Sequence, residues 1–597
     1  MKKLIQSLTL IIIFIFFNQI NLMAESNLIH YVSMEKPNRH YFQVQTDIIV
    51  SESMQKNGFA EVKMAVWTPG SYLVREFSRN IESLTAKISN KAANVDKMSK
   101  NTWRVNLKNA RKGDKISVSY QVYAFEQSVR TSILDDSHGY INPASVFLYV
   151  EEYKNQSIDL IINPYKGFTR SSSAMKEIKE HHFQARNLDE FIDSPIEIGN
   201  HEVLRFDMEG IPHEIAFYGP AEVDRVKFVE DVKRVCIEAK NVFKTHPCDH
   251  YLFIIHNYER GGGGLEHLNS TTCEVSRSSY ESINGYHGIL NLLAHEYFHL
   301  WNVKRLRPEA LGPFDYENEN YTHHLWLSEG FTSYYANYIT WKAGFIPETD
   351  FLKETASNIA YVENMPGNYV QTVAEASFDA WIKYYRPNEN SRNATISYYS
   401  KGEVLGTFFN LWILKNSKGQ KNLNDLMQYL YQTTYVEKSR GFTDQEVVEA
   451  FSYIAGKSAK EIFKKNIFGL EWPDFKGLFN DFGFELKDKN ENNQDPYLGL
   501  FVRSNEILSI MKDGPADLAG LSVQDKINQV NGLSWEEFNK NISNQKPGEE
   551  VIFNVTRDGI NREFKAVLMA NPNKSYELLP ILKLNKQQEL LKKAWLN

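Results

Sequence analysis

The sequence predicts a multidomain protein: an all-β N-terminal sandwich domain, a middle domain that is α+β and largely α-helical, and a small β-rich C-terminal domain. Three observations carry this prediction. The 597 residues exceed what one hydrophobic core organises. Short apolar-rich runs separated by turn residues fill residues 26–215, whereas helical patterns begin near residue 216. A polar segment at 487–495 then separates the last part of the chain.

The composition is that of a globular protein and argues against two classes. Apolar residues make up 42% of the chain and charged residues 24%. A net charge of -7 without a long basic run gives no sign of nucleic-acid binding. Three cysteines are too few for a disulfide framework. Cys236 and Cys248 are able to bridge in an oxidising compartment, and we interpret all three cysteines as structural.

Residues 1–24 predict a signal peptide. Two lysines give a positive start, residues 8–17 form a mostly apolar core, and residues 22–24 offer a small-residue cleavage site. The apolar run is short for a membrane span. We therefore expect an exported protein, periplasmic or secreted, with an uncleaved N-terminal anchor as the alternative.

The N-terminal domain is predicted to be an antiparallel sandwich over residues 25–215. Its clearest strand is residues 41–50, in which one face is apolar apart from a threonine and the other face is polar. No catalytic cluster stands out in this region. A structural or substrate-framing role is the simpler interpretation.

The middle domain is predicted at residues 216–486, and it opens with a helix at 226–243 and a buried strand at 251–256. Four glycines follow at 261–264, and Gly263 and Gly264 allow a backbone to approach a ligand closely. Glu266 comes almost directly after them. We interpret it as a carboxylate that holds the free α-amino group of a substrate, the alternative being a flexible loop with an exposed glutamate.

Residues 288–303 predict a buried helix that carries a metal-binding pattern. His295 and His299 are four residues apart and therefore share one face of the helix. Two neutral imidazoles on one face can hold two corners of a tetrahedral zinc site. Glu296 lies on the flank of that face, where it can take a proton from a water at the metal. The alternative is two unrelated core histidines near a solvated glutamate.

Glu329 is predicted to be the third metal ligand. It lies within a second mostly apolar helix, residues 324–335, where a carboxylate should not be buried unpaired. A zinc ion needs three protein ligands and one open position, and it would pair this carboxylate. His323 and His324 are the competing ligand candidates.

Tyr399 precedes a mostly apolar run that leads into a helical region at 403–480. A tyrosine hydroxyl near zinc can stabilise the oxyanion of a tetrahedral intermediate. The alternative is a packed aromatic side chain, because the chain has 32 tyrosines. The helices after it are expected to close the cleft.

The C-terminal domain is predicted at residues 496–580. Two apolar-rich runs flank Asp558-Gly559, which is a strong signal for a β-hairpin. Upstream, Leu498, Gly499 and Leu500 can present backbone N–H groups to a terminal carboxylate. An ordinary strand entry is the alternative interpretation of these three residues.

Together these motifs resemble a known family. His295, His299 and Glu329 in their local sequences are similar to the gluzincin metallopeptidases. The stretches 67–72 (Trp-Thr-Pro-Gly-Ser-Tyr), 263–267 (Gly-Gly-Leu-Glu-His) and 399–402 (Tyr-Ser-Lys-Gly) resemble the glycyl aminopeptidase family, which carries a C-terminal PDZ domain. Residues 497–568 resemble that PDZ domain.

The resemblance implies a thermolysin-like catalytic domain with one zinc ion held by His295, His299 and Glu329. It also implies that Glu296 is the general base, that Glu266 binds the substrate amine and that Tyr399 stabilises the oxyanion. The expected function is a zinc aminopeptidase acting on peptides with small N-terminal residues, glycine or alanine. C-terminal peptide tails are possible partners of the PDZ domain, and nucleic acid is not expected. The alternatives are a zinc endopeptidase and a PDZ-based peptide-binding adaptor with an inactive zinc domain.

Overall fold

A sheet of eight strands organises the N-terminal domain in the computed structural model, which describes residues 26–596. The predicted signal peptide lies outside the described residues. All neighbouring strands of the sheet are antiparallel except Leu28–Ser33 and Ile158–Asn163, which are parallel. The strand order is Lys176–Lys179, His182–Ala185, Ile158–Asn163, Leu28–Ser33, Tyr41–Ile49, Lys115–Tyr123, Ile81–Ile88 and Lys91–Ala93.

The strand Tyr41–Ile49 shows why this region folds as a sandwich. Phe42, Val44 and Ile48 are buried and face a single apolar core. Thr46 interrupts that face as a buried polar residue, and its hydroxyl is paired with the His30 ring at 2.9 Å. The alternation predicted from the sequence therefore holds, and the exception is satisfied by a hydrogen bond.

Two four-stranded sheets complete this domain. The first consists of Arg170–Ser173, Ile196–Gly199, His138–Ile141 and Ile133–Leu134. The second consists of Leu148–Tyr149, Phe59–Met64, Thr102–Asn106 and Val95–Lys97. A helix at Glu52–Asn57 and another at Leu188–Ile192 connect these strands.

The second domain begins earlier than residue 216. Glu202–Met208 and most of Ile211–Tyr218 fall within the predicted range 25–215, but both strands form part of the next sheet. Ile211–Tyr218 pairs in parallel with Tyr251–Tyr258, which in turn pairs with Ser270–Ser276. Their apolar alternation matches that of sandwich strands, so only the pairing partner assigns them to this sheet. Its order is Glu202–Met208, Ile211–Tyr218, Tyr251–Tyr258, Ser270–Ser276 and Gly264–Glu266.

Helices pack against this sheet and form most of the second domain. One large apolar core joins the sheet and the helices. The longer helices are Arg225–Phe243, Ile283–Phe298, Phe331–Lys342, Glu348–Glu363, Tyr398–Asn416, Leu423–Leu430, Asp444–Ala455 and Phe475–Asp481, and the shorter ones are Val373–Phe378, Ser391–Ala394 and Lys460–Ile462. Within residues 26–596, no helix is both long enough and apolar enough to cross a membrane.

Two predicted helices differ from the structure at their ends. The helix predicted at 288–303 runs from Ile283 to Phe298, because Ser282 caps its N-terminus by accepting from Gly285 N–H. We call it the central helix. The helix predicted at 324–335 opens with the π-helical turn Trp326–Gly330 before Phe331–Lys342. Such π turns occur often at functional sites.

The third domain is built around five antiparallel strands: Leu500–Arg503, Glu506–Ile510, Lys526–Val530, Glu550–Arg557 and Ile560–Val567. The predicted hairpin forms, since Asp558 and Gly559 take φ of 48° and 75°, as a two-residue turn requires. Short helices lie at Pro515–Leu518 and Trp535–Lys540. The domain has its own apolar core.

The chain leaves this third domain and returns to the second. Phe484–Asp488 pairs with Tyr576–Pro580, so the start of the predicted linker and the end of the predicted domain form one ribbon. The last helix, Lys586–Leu596, then packs on the second domain through Trp595, whose ring lies 5.7 Å from that of Phe479. The third domain is therefore inserted between two segments that belong to the second.

The cysteines are free thiols. Cys236 and Cys273 are buried and Cys248 is partly exposed. Burial raises the pKa of Cys236 and Cys273 well above the ordinary value for a thiol. The structure thus contains no bridge between Cys236 and Cys248.

Candidate active site

The three predicted metal ligands lie together. His295 Nε2 is 3.1 Å from His299 Nε2, and Glu329 Oε2 is 3.6 Å from the former and 3.2 Å from the latter. Ligand atoms of a tetrahedral zinc site lie about 3.3 Å apart, given metal–ligand distances near 2.0 Å. His299 and Glu329 are buried, whereas the side chain of His295 is 16% exposed. The arrangement therefore leaves one side open, as a catalytic site requires.

The tautomer of His299 supports a metal at this point. Its Nδ1 donates to the backbone carbonyl of Asn302 at 2.7 Å, because a carbonyl only accepts. In the neutral state that metal binding requires, the ring therefore turns a bare Nε2 toward the carboxylate of Glu329. Glu329 Oε1 is buried without a hydrogen-bond partner. Several lone pairs that face one another in a buried place fit a cation.

Asn302 is a site residue that sequence reasoning missed. Its side-chain amide donates to the carbonyls of Leu327 and Ser328, each at 3.0 Å. The same residue thus binds the ring of His299 through its backbone and holds the turn that carries Glu329 through its side chain. A buried asparagine three residues after His299 was the available signal.

Two glycines allow the π turn to approach the helix Tyr398–Asn416. A Cβ added to Gly402 would lie 2.7 Å from the Cα of Gly330, closer than real Cβ contacts. Any larger residue at either position would separate the two elements. The close approach brings the turn with Glu329 against the helix start with Tyr399.

Glu296 lies beside the ligands. Its carboxyl group is buried, and Oε2 has no hydrogen-bond partner. Burial raises the pKa of Glu296. Burial opposes the ionised form of Glu329 too, but the charges and hydrogen bonds of His299 and His295 together lower the pKa of Glu329. Gly264 passes directly over Glu296, and any Cβ at that position would overlap the carboxyl group. A carboxylate of raised pKa is suited to accept and return a proton.

Glu266 is part of the same cluster. Single ligand atoms of Glu266, Glu296 and His299 lie within 4.8 Å of one another. Glu266 is 4% exposed, and its Oε1 has no hydrogen-bond partner. The other wall is the turn 67–72 of the N-terminal domain, since a Cβ on Gly70 would lie 2.7 Å from Glu266 Oε1. The sequence motif 67–72 therefore contributes to the site, a role that its local pattern did not indicate.

Tyr399 is stacked with the ring of His295, at a centroid distance of 6.3 Å. Burial and the charge of Glu329 raise the pKa of Tyr399, which keeps its hydroxyl protonated and able to donate. Tyr384 stacks on Tyr399 at 5.4 Å. Tyr72 and Tyr385 also lie within range of the charge of Glu329. These three further tyrosines line the site. Tyr72 belongs to the stretch 67–72, whereas Tyr384 and Tyr385 had no signal in the sequence.

Three predicted residues lie elsewhere or do not touch the cluster. His324 Nε2 is paired with Asp444 at 2.8 Å, and His323 stacks on Phe378 at 4.8 Å, so neither competing ligand candidate reaches the metal position. Gly263 takes φ of 99°, and a Cβ added there would meet no atom within 4 Å. It shapes the loop but, unlike Gly264, does not pass over Glu296.

A second group of metal-type side chains lies between the first two domains. Glu197 pairs with His138 at 2.9 Å and with His256 at 2.8 Å, and all three are buried. These are hydrogen-bond lengths, shorter than the separations at His295, His299 and Glu329. Although burial opposes it, the two histidines hold the pKa of Glu197 at about 2. We interpret the group as an ion-paired link between the domains.

The predicted carboxylate loop of the third domain lies at an edge of its sheet. Leu498 and Gly499 separate the short strand Pro496–Tyr497 from Leu500–Arg503, and Gly499 takes φ of 71°. The carbonyls of Leu498 and Gly499 accept from Ala516 and Met511. These bonds fix the loop, and a cavity of about 320 Å³ opens beside it toward the second domain.

Comparison with known families assigns all three regions. Residues 288–405 match the M61 glycyl aminopeptidase family, and residues 30–200 match the peptidase M61 N-terminal domain. Residues 481–568 match the PDZ domain. No curated protein matches the sequence.

A solved structure shares the fold over nearly the whole chain. This aminopeptidase N family protein from Idiomarina loihiensis is 29% identical, with 95% of this chain and 99% of that chain covered at a TM-score of 0.87. An M1 zinc metallopeptidase from Deinococcus radiodurans is 12% identical, with 75% and 94% covered and a TM-score of 0.48. Yeast LTA4 hydrolase with bestatin is 10% identical, with 75% and 68% covered and a TM-score of 0.46. The first of these and the family matches confirm the predicted fold class.

Proposed function

Because this chain is a metallopeptidase with the catalytic and N-terminal domains of the M61 glycyl aminopeptidases and a PDZ domain, we propose that it is a zinc aminopeptidase that releases small N-terminal residues. The observation that carries the proposal is the placement of Glu266 and Glu296 in one buried cluster with His299. Glu266 binds the substrate amine, and Glu296 accepts a proton from the attacking water.

His295, His299 and Glu329 are the residues that would hold one zinc ion. Their separations and the bare Nε2 of His299 fit that ion. Bound zinc supplies a Lewis acid and lowers the pKa of a water toward ~7. Side chains of this protein carry out the proton transfer, stabilise the oxyanion and bind the substrate amine.

Glu296 accepts the proton of the attacking water and returns it to the leaving amine. Tyr399 donates a hydrogen bond to the oxygen of the scissile carbonyl as negative charge develops there. Glu266 pairs with the α-ammonium group, which fixes the first peptide bond beside Glu296. The positive charge of that ammonium also compensates the buried carboxylate of Glu266.

The tight surroundings of Glu266 support a preference for glycine and alanine. Gly70 and Leu265 enclose its carboxyl group so closely that a Cβ on Gly70 would lie 2.7 Å from the side chain of either Leu265 or Glu266. Little room is left for a large side chain near the amine. The description of the matching family as glycyl aminopeptidases agrees with this preference.

Zinc content and turnover of glycine and alanine amides test the proposal first. We expect about one zinc per chain and hydrolysis that Glu296→Ala removes. Glu266→Ala should raise KM for free-amine peptides while the same peptides, once acetylated, remain poor substrates. Equal kinetics of the wild type on acetylated and free peptides would instead identify an endopeptidase.

A zinc-free, inactive protein that still binds C-terminal peptides would support the adaptor alternative. In that case the binding should depend on the loop of Leu498, Gly499 and Leu500. Export is part of the proposal and rests on the signal pattern of residues 1–24. It is tested by whether the mature chain begins after Ala24 when it is isolated from the host.

A further inference from the structure

We propose that Arg130, together with Arg75, forms a subsite for the free C-terminal carboxylate of a short peptide whose amino group is held by Glu266. This inference rests on the proposed function and names its substrate class: unblocked peptides of two or three residues. Both arginines come from the N-terminal domain, so that domain would select substrate length as well as frame the cleft.

Arg130 lies in a loop that is fixed to the strand of Glu266. Its neighbour Val129 is buried, and the Val129 carbonyl accepts from the hydroxyl of Tyr140 at 3.2 Å. That hydroxyl also lies 3.0 Å from the hydroxyl of Thr272. Thr272 is the direct partner of Leu265 in the sheet, one residue before Glu266. The loop with Arg130 is therefore held in register with the predicted amine site.

Arg75 reaches the site through the turn 67–72. Two nitrogens of its guanidinium donate to the hydroxyl of Ser71, at 3.3 and 3.1 Å. Ser71 follows Gly70, which lies against the carboxylate of Glu266. Thr68 of the same turn is hydrogen-bonded to Asn142, whose carbonyl and backbone N–H contact Ser132 beside the Arg130 loop. One polar network thus carries both arginines.

Within the described part of the chain, neither guanidinium is in contact with a carboxylate, although the charge of Glu126 acts on Arg75 and the charge of Arg130 acts on Glu274 from farther away. Among residues 26–596, no carboxylate oxygen lies within 4.0 Å of a nitrogen of Arg75 or Arg130. Nε of Arg130 is buried and has no hydrogen-bond partner at all. A partly buried guanidinium with free donors is costly unless an anion pairs with it. The planar group matches a carboxylate in a bidentate way.

The charge of Arg130 acts on the reacting side of the cleft. It lowers the pKa of Tyr385, next to its burial the largest influence on that residue, and it also acts on Glu296. Arg75 and Arg130 also act on each other, since the charge of Arg130 lowers the pKa of Arg75 after burial does. Two positive charges that repel each other destabilise the folded protein, and an anion bound by both would offset that repulsion.

The site then combines the carboxylate of Glu266, which would bind the amine of a peptide, with two guanidinium groups, which would bind its C-terminal carboxylate. A zwitterionic peptide satisfies both ends only when its own ends are a few residues apart. Amidation of its C-terminus removes the anion, and lengthening moves it away. The anion is part of the substrate, because a short peptide with a free C-terminus carries its carboxylate into the cleft.

The experiment compares kcat/KM for Gly-Ala, Gly-Ala-Ala and Gly-Ala-Ala-Ala-Ala with their C-terminal amides, using zinc-loaded full-length protein. For the wild type we expect the free acid to exceed the amide about tenfold to a hundredfold at one of the two short lengths. The pentapeptide pair should show no such difference. In Arg130→Gln the ratio at that length should fall toward one, and Arg75→Gln should lower it as well.

Arg39→Gln is the matched control, because it removes the same charge from an exposed position of the same domain. It should keep the wild-type ratio. Acid and amide that are cleaved equally by the wild type would overturn the proposal, as would a ratio that survives in Arg130→Gln. If Gly-Asp-NH2 shows the Arg130-dependent preference and Gly-Ala does not, the subsite takes a side-chain carboxylate and the assignment to the C-terminus is wrong. If the wild type cleaves none of these peptides, the proposed function is contradicted. This outcome differs from a wild type that cleaves acid and amide equally, which contradicts only the subsite.

Discussion

The backbones of Gly330 and Gly402 are in direct contact: a Cβ added to Gly402 would lie 2.7 Å from the Cα of Gly330. This contact sets the distance between Glu329, one residue before Gly330, and Tyr399, three residues before Gly402. The position of two chemical groups therefore depends on two residues that have no side chain.

Gly402→Ala should lower activity strongly. The added methyl group separates the π turn from the helix Tyr398–Asn416, and displacement of a reacting group by about 1 Å costs about a hundredfold in rate. Steady-state kinetics on a glycine amide measure the effect. Gly288→Ala is the control, because its Cβ would meet nothing within 4 Å on the exposed face of the central helix. Full activity of Gly402→Ala would show that this close approach is not needed.

Gly264→Ala and Gly262→Ala differ in the atoms that the added Cβ would meet. A Cβ at 264 overlaps the carboxyl group of Glu296, whereas a Cβ at 262 meets nothing within 4 Å. We expect kcat of Gly264→Ala to fall about a hundredfold and that of Gly262→Ala to change by less than about threefold. Similar losses in both variants would mean that loop flexibility, rather than contact with Glu296, explains the effect.

Asn302→Ala should weaken metal binding. The side chain holds the carbonyls of Leu327 and Ser328 just before Glu329, and loss of such outer partners costs about tenfold to a hundredfold in metal affinity. Competition with a chromophoric chelator measures the change. Asn416→Ala is the control, because it removes a hydrogen bond from a side-chain amide to the carbonyl of Trp412, at the opposite end of the helix from Tyr399. Unchanged affinity in Asn302→Ala would contradict the role given to this residue.

Glu197 should make stability depend on acid. Its pKa in the folded protein is about 2, below the ordinary value of 4.5 for a glutamate. A lowered carboxyl pKa contributes stability that is present above about pH 4.5 and is lost as the pH falls toward about 2, with a maximum of about 3 kcal/mol. Thermal unfolding of the wild type and Glu197→Gln between pH 6 and pH 3 measures it.

The expected result is that Glu197→Gln is less stable at pH 6 and that the difference between the two proteins narrows at pH 3. A constant difference across this range would show that the carboxylate charge does not contribute. We expect Glu197→Gln to lose stability because Glu197 joins His138 of the first domain to His256 of the second.

The sequence predicted the parts of the site that lie close together in the chain. The spacing of His295, Glu296 and His299 follows from one helix, and Glu329 was found because a lone carboxylate stood among apolar residues. The hairpin at Asp558-Gly559 was equally local, since its turn needs two positive φ angles.

What the sequence did not predict depends on contacts between distant segments. Asn302 and Gly70 act through neighbours in space, and no local pattern gave either of them a role at the site. Arg130 had no local pattern at all, because its relation to Glu266 passes through Tyr140 and Thr272. The early start of the second domain was missed for the same reason, because the composition of a strand does not show which other strand it pairs with.

The ribbon of Phe484–Asp488 with Tyr576–Pro580 has a practical consequence for dissecting this chain. Cutting the polypeptide after residue 487 discards the PDZ domain and also strips a strand and the Trp595 helix from the peptidase. Such a fragment would expose Phe479 and Phe484, so its inactivity would say nothing about peptide-tail recognition. An internal excision of residues 496–570, closed by a short glycine-serine bridge, leaves both flanking segments in place.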